Sequence, residues 1–226
     1  MYKKLEKQIG ITFKDYDLLR TAFIHRSYIN EHKGDEKEHN ERLEFLGDAV
    51  LELVVTEYLF KTYDNPEGDL TNWRSALVKG EMLAKISKEL NLGDYLLLSH
   101  GEEKSGGRNK DYLLANTFES LVGVMYLEFG YETCQKFINK FLLVHLEPIL
   151  ESGSHIDAKS KFQELAQEKV GTTPNYDLVS EEGPDHDKIF TMAAKIGEKL
   201  VGKGKGGSKQ TAEQKAAEDA LKRLKW

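Results

Sequence analysis

The sequence predicts an all-α domain followed by a smaller α+β domain of order α-β-β-β-α. Three observations predict it. Up to about residue 150, apolar residues recur at helical spacing, with no run of strand-like alternation. A short polar stretch beginning at 151, ESGSHID, then interrupts the pattern with Gly and Ser. After it come one helical segment, three candidate strands and a final helix. The boundaries read from these changes are 1–150 for the helical domain, 151–156 for the linker and 157–226 for the second domain.

In the first domain, DLLRTAFIHRSY puts Leu18, Leu19, Ala22 and Phe23 on one stripe and predicts a helix. ERLEFLGDAVLELVVTEYLFKTY predicts a long, very apolar helix buried over much of its surface. DLTNWRSALVKGEMLAKISKELNLG gives two shorter helices, the second stopped by the Gly after Asn91 and Leu92. YLLANTFESLVGVMYLEFG is an apolar helix ending at Gly130, and YETCQKFINKFLLVHLEPIL closes the set. In the second domain AKSKFQELAQEKV reads as a helix and NYDLVSEE as a strand. KIFTMAAKI alternates, with Ile189, Thr191, Ala193 and Lys195 on one side and Phe190, Met192, Ala194 and Ile196 on the other. KLVGKGKGG is a third strand running into a glycine loop. The last helix carries Ala212, Ala216, Ala217, Ala220, Leu221 and Leu224 on one stripe.

Bulk properties narrow the function classes. Hydrophobic residues make up 39% and charged residues 31% of the 226, an ordinary globular balance. No apolar run approaches the roughly 20 residues that span a bilayer, and the N-terminus lacks the apolar core of a secretory signal. The single cysteine, Cys134, has no internal disulfide partner and reads as a core residue of a cytoplasmic protein. Net charge is −6, but from Gly153 onward 13 basic residues face 12 acidic ones, whereas the rest holds 19 against 26. GEKLVGKGKGGSK, at 197–209, concentrates four lysines against one acid, a local patch suited to phosphate.

Chemistry concentrates in two helices. Glu41, Glu44 and Asp48 fall at i, i+3 and i+7, on one helix face within an apolar segment. Asn116 and Glu119 lie at i and i+3 on another apolar helix. Packed together, the two helices bring oxygen-bearing side chains to one point, a donor set for Mg²⁺ or Mn²⁺. The plainer reading of such acids is a solvated stripe. Gly47 is the second oddity: in mid-helix it costs about 1 kcal/mol relative to Ala, which points to close approach of another backbone.

At these residues the chain resembles bacterial ribonuclease III. NERLEFLGDAVLELVV, EGDLTNWRSALV, SGGRNKDYLLANTFESLVGVMYLEFG and the C-terminal section carry the resemblance, in order, over nearly the whole chain. It implies an all-α endonuclease domain followed by a double-stranded RNA-binding domain. Glu44, Asp48, Glu119 and the position of Asn116 are then the metal ligands. Asp48 and Glu119 carry the catalytic role, and Glu41 and Glu67 are accessory acids near the cleft. The implied activity is Mg²⁺-dependent cleavage of double-stranded RNA to 5′-phosphate and 3′-hydroxyl products, in ribosomal RNA processing and messenger RNA turnover. It also implies a homodimer, with Phe45 a dimer contact, and no organic cofactor. The chain departs from the family pattern at Asn116, where Asp is usual. An amide oxygen still coordinates a hard cation, but without a formal charge.

For the second domain the resemblance implies three RNA contacts: Gln163 on the first helix, Pro184 and His186 in the β1–β2 loop, and Ser208, Lys209, Gln210 and Gln214 at the start of the last helix. The chemistry agrees, since 2′-hydroxyls suit Gln and loop carbonyls, while phosphates suit Lys and a helix N-terminus. Gly204, Gly206 and Gly207 are expected to allow close backbone approach and positive φ. A second departure replaces one of two usual lysines with Gln210. His186 reads equally well as a surface loop residue, and GKGKGG by itself as a flexible basic loop. Two readings compete with the nuclease: a double-stranded RNA binder impaired or trapped by Asn116, and a helical interaction domain tethered to an RNA reader. The last leaves Glu44, Asp48 and Glu119 unexplained.

Overall fold

The structure, a computed structural model, describes residues 2–32, 38–152, 158–184 and 188–226. The chain divides into two compact units, Met1–His155 and Ile156–Trp226. The first contains helices α1 (Lys3–Ile9), α2 (Tyr16–Thr21), α3 (Arg26–Glu31), α4 (Glu41–Thr62), α5 (Glu67–Val78), α6 (Gly80–Glu89), α7 (His100–Lys104), α8 (Asp111–Phe129), α9 (Tyr131–Phe141) and α10 (Leu146–Ser152). The second runs α11 (Ala158–Val170), β1 (Asn175–Glu182), β2 (Ile189–Ile196), β3 (Lys199–Gly206) and α12 (Lys209–Leu224). Among the described residues no helix is long and apolar enough to cross a membrane.

Three local features differ from the sequence expectation. The segment DLLRTAFIHRSY forms two helices, not one. Asp15 starts α2 by accepting hydrogen bonds from the backbone N–H groups of Asp17 and Leu18, and the chain then breaks so that Ile24 pairs with Leu97 in an isolated parallel bridge. Leu19, Ala22 and Phe23 are still fully buried, so the apolar stripe is real while its continuity is not. The stop after α6 is made by Asn91, at φ 55°, not by the following glycine. Gly93 serves packing instead: a Cβ there would lie 2.4 Å from the Arg108 carbonyl oxygen.

The third difference concerns α4. Leu43, Gly47, Val50, Leu51, Val54, Val55 and Leu59 face the core. Phe45 is 80% exposed, Leu53 57% and Phe60 76%. The helix is apolar on two faces and buried on one. Its buried face meets α8 in the most extensive helix–helix contact of the unit. Cys134 is fully buried, and burial pushes its thiol up to about 11, which suits a packed core residue.

In the second unit the sheet order is β1-β2-β3, antiparallel throughout. Phe190, Met192, Ala194 and Ile196 point toward the helices, as the alternation requires. Gly206, Gly204 and Gly202 stand opposite Phe190, Met192 and Ala194. A Cβ on Gly202 or Gly204 would come within 2.3 Å of a carbonyl oxygen of α12, that of Ala216 or Ala212, and one on Gly206 within 2.7 Å of Ala212 N. Alanines 212, 216, 217 and 220 line the facing helix, all fully buried. The glycines are thus read differently from the sequence: 204 and 206 lie in the strand, none of 204, 206 and 207 has positive φ, and the close approach at 202, 204 and 206 is to α12.

Candidate active site and RNA-binding surface

The acids are placed by a backbone contact. A Cβ on Gly47 would sit 1.8 Å from the Glu119 carbonyl oxygen and 2.9 Å from Gly123 N; one on Gly123 would sit 2.3 Å from the Leu43 carbonyl oxygen. Helices α4 and α8 therefore touch main chain to main chain, as the mid-helix glycine anticipated. Buried Ser120 adds a polar link, its Oγ lying 2.8 Å from the Asn116 carbonyl and 3.3 Å from that of Asn40, the residue before α4.

At this crossing Glu44, Asn116 and Glu119 are half-buried and Asp48 is exposed. Glu119 is pushed up to about 8, first by burial and then by the charges of Asp48 and Glu44. Glu44 is also raised, by burial and then by Glu41, while a hydrogen bond from Asn116 pulls it down. Glu41 stands at the start of α4, 3.7 Å from the Arg26 guanidinium and 3.8 Å from His39 Nδ1. Arg26 and His39 were not singled out from sequence; nothing in their local pattern marks them. Among the described residues no three His, Cys, Asp or Glu side chains close into a metal cage. The side chains at the crossing offer carboxylate and amide oxygens, the donor type that hard divalent cations take.

Glu67 is not part of this group within one chain. It begins α5, accepts a hydrogen bond from Thr71 Oγ1 at 2.9 Å, and lines a pocket of about 510 Å³ with Thr56, Phe60, Tyr63 and Arg74. Thr56 follows Glu44 by 12 residues on α4, about 18 Å along the helix axis.

On the second unit Gln163, Pro184, Lys209 and Gln210 are exposed, and His186 lies outside the described residues. Ser208 caps α12, its Oγ accepting from Thr211 N at 3.1 Å. Lys209 Nζ sits 5.8 Å from the Phe190 ring centroid, a cation–π contact that sequence inspection did not pick out. Gln214 is engaged within the domain: its Oε1 accepts from Lys159 N at 3.3 Å, while Lys159 Nζ pairs with the neighbouring Glu213 at 2.5 Å. That hydrogen bond makes Gln214 a staple between α11 and α12.

Comparison with known proteins agrees with both halves. A ribonuclease-III-like family pattern matches residues 15–146, and a double-stranded RNA binding motif matches 158–224. Ribonuclease 3 of Borreliella afzelii is 44% identical over 96% of this chain and 89% of its own length. Ribonuclease 3 of Streptococcus gordonii is 44% identical over 98% and 97%. The solved nuclease domain of ribonuclease III from Campylobacter jejuni, 43% identical, superposes with a TM-score of 0.58 over 62% of this chain and 95% of that one. A helical nuclease domain joined to a double-stranded RNA-binding domain defines an endoribonuclease directed at duplex RNA. The chain belongs to the ribonuclease III family.

Proposed function

We propose that the chain hydrolyses phosphodiester bonds of double-stranded RNA with Mg²⁺ held by Glu44, Asp48, Asn116 and Glu119, leaving 5′-phosphate and 3′-hydroxyl ends. The observation that carries this reading is the convergence of three carboxylates at the α4–α8 crossing, where Glu119 is raised to about 8. Half-buried like charges of this kind are a standing cost that a dication relieves. When bound, magnesium supplies positive charge to the scissile phosphate and acidifies attacking water. Asp48, the most exposed acid of the set, orients that water and accepts its proton. Glu44 and Glu119 hold the cation, and Glu41, beside Arg26, positions the RNA strand. Lys209 and the N-terminus of α12 bind phosphates, while Gln163 and the Pro184 loop address the minor groove.

The working unit in this proposal is a cytoplasmic homodimer acting in ribosomal RNA processing and messenger RNA turnover. Support for the dimer is the exposed apolar row Phe45, Leu53 and Phe60 on α4, beside a pocket of about 590 Å³ lined by Leu18, Phe45, Leu46 and Leu127. Exposed apolar surface of this kind marks an interaction site. The Campylobacter domain is itself described with a region involved in dimer formation. Mn²⁺ is expected to substitute for Mg²⁺. A second reading, a duplex binder with impaired cleavage, is favoured by Asn116 alone. Incubation of long duplex RNA with the chain and its Asn116→Asp variant, across a Mg²⁺ titration, decides between them. Cleavage by the chain as it stands supports the nuclease; cleavage by the variant alone supports the binder.

A further inference from the structure

The start of α3 is built by an unusual exchange of partners. Around the parallel bridge of Ile24 and Leu97, Leu97 N donates to the Phe23 carbonyl at 2.8 Å and His25 N to the Leu97 carbonyl at 3.1 Å. The next rung of a parallel ladder would run from Ser99 N to the His25 carbonyl. That carbonyl is taken: it accepts from Tyr28 N at 2.9 Å, in the first turn of α3. Ser99 N donates to Ser27 Oγ instead, at 3.1 Å. A side chain thus replaces a carbonyl where extended chain becomes helix.

Ser27 Oγ, having accepted from Ser99, gives its own proton to His25 Nδ1, 2.8 Å away. The same nitrogen accepts from Ser27 N at 3.3 Å and so caps α3. An N–H aimed at Nδ1 requires a lone pair there, which fixes the neutral ring with its proton on Nε2. His25, Ser27 and the Ser99 N–H therefore act as one connection.

Two links carry this junction to the start of α4. Asn40 N donates to the Ile24 carbonyl at 2.9 Å, and the Asn40 carbonyl accepts from Glu44 N at 2.8 Å, so the first turn of α4 is tied to the bridge. Arg26, next to His25, reaches Glu41 of that turn at 3.7 Å. On the other side Ser99 Oγ caps α7, and His100 N donates to Glu31 Oε2 at 2.7 Å, which ties α7 to α3. The α4–α8 crossing is held separately, by the backbone contact through Gly47 and Gly123. We propose that His25 and Ser27 are positioning residues for RNA: their side chains lock the start of α3, so that Arg26 and Glu41 meet the strand in a fixed place. The role rests on the duplex-RNA nuclease reading above and adds to it two residues that touch neither the acids of the crossing nor the substrate.

Steady-state cleavage of duplex RNA by the full chain tests this. His25→Ala should raise KM about tenfold and leave kcat within about twofold, because the crossing keeps its own anchor. Ser27→Ala should act in the same direction, and the double variant should be little worse than His25→Ala alone. His25→Asn should recover most of the loss: its Oδ1 stands where Nδ1 stood, accepts both bonds, and Asn is a favoured N-cap. Arg26→Ala should raise KM comparably, and His25→Ala should then add little. Should His25→Ala fail to fold, Ser27→Ala in place of it, with and without Arg26→Ala, gives the same comparison. Unchanged KM in a chain that cleaves overturns the inference and leaves the nuclease standing. So does a loss confined to kcat, which would mean that the junction holds the acids. Full additivity with Arg26→Ala, or no recovery in His25→Asn, also overturns it. A chain that cleaves at no Mg²⁺ concentration overturns the nuclease reading, and this role with it.

Discussion

Glycine builds both halves of this protein, with opposite electrostatic results. In the helical unit Gly47 and Gly123 let two helix backbones touch, and the contact forces Glu44, Asp48 and Glu119 into each other's fields. In the RNA reader Gly202, Gly204 and Gly206 let β3 lie directly on α12, and the alternation of the strand turns Lys203 and Lys205 outward into solvent. The first arrangement crowds like charges, raising Glu119 to about 8. The second keeps its cations solvated and apart, so binding phosphate requires little reorganisation. Packing of the same kind thus crowds acids in one place and spaces lysines in the other.

The strongest way to break the comparison is to remove the charge without touching the packing. Asp48→Asn should lower cleavage of duplex RNA by at least about 100-fold and leave duplex binding within about twofold, because binding lies in the second unit. Cleavage is read from initial rates and binding from a filter or gel titration in Ca²⁺. If both fall together, Asp48 has been assigned the wrong role.

Removing the packing is the next test. Gly47→Ala puts a methyl 1.8 Å from a carbonyl oxygen that cannot swing away, and should cost about 3 kcal/mol or more by overpacking. Gly204→Ala meets α12 backbone at 2.3 Å and should weaken the RNA reader comparably. Gly207→Ala meets nothing within 4 Å and should stay within about 0.5 kcal/mol. Urea midpoints of the two transitions check the set. A Gly47→Ala chain that unfolds at the same midpoint contradicts the main-chain contact.

Stored repulsion also has a pH signature. Without metal, the folded chain keeps a proton on Glu119 up to about 8, against an ordinary value of 4.5. Because the folded state binds more protons than the unfolded one between those values, stability should fall as pH rises from 4.5 to 8 and level off above. Glu44, raised as well, adds to the same slope. Glu119→Gln should flatten most of it, as read from unfolding midpoints at pH 5 and pH 8 in EDTA. A midpoint that rises with pH over this range would show that the cluster is relieved by some other group.

Much of this contrast was legible in the sequence, and the missing parts have physical reasons. Helical spacing gave the order of the long helices, and the strand alternation of 189–196 gave its inward face. Gly47 announced a backbone contact because nothing else explains a glycine there. The exposed face of α4 was not legible from hydrophobicity, which does not say whether the cover is the same chain or another; only the family resemblance singled out Phe45, and nothing singled out Leu53 or Phe60. The glycines of β3 were misread for a related reason. A gap at Cβ shows that something approaches, without showing whether that is RNA or α12. The hydrogen bond of Gln214 was not legible because its partner, the Lys159 N–H, is a backbone group 55 residues away. Glu67 was named an accessory acid through the family resemblance, and within one chain the length of α4 sets it apart from the α4–α8 crossing.

The smallest predicted effect sharpens the relaxed side of the comparison. Lys209 begins α12, is exposed, and leans over Phe190, so its charge lies beside the helix N-terminus capped by Ser208. Lys203 is equally exposed but projects from β3 on the sheet face turned away from α12, where its neighbour across the strand is Ala193. If phosphate is bound at the helix terminus, Lys209→Ala should reduce the slope of log affinity against log salt by roughly one contact, while Lys203→Ala changes it by much less. Affinity at a single salt concentration does not separate the two, because any lost lysine lowers the general attraction of duplex RNA. The slope counts displaced counterions and so reports which lysine touches phosphate. Duplex binding measured from low to moderate salt for both variants provides it. Equal slope changes would place the RNA across the sheet edge as well as the helix terminus, and the surface assigned to Lys209 would have to be redrawn around β3.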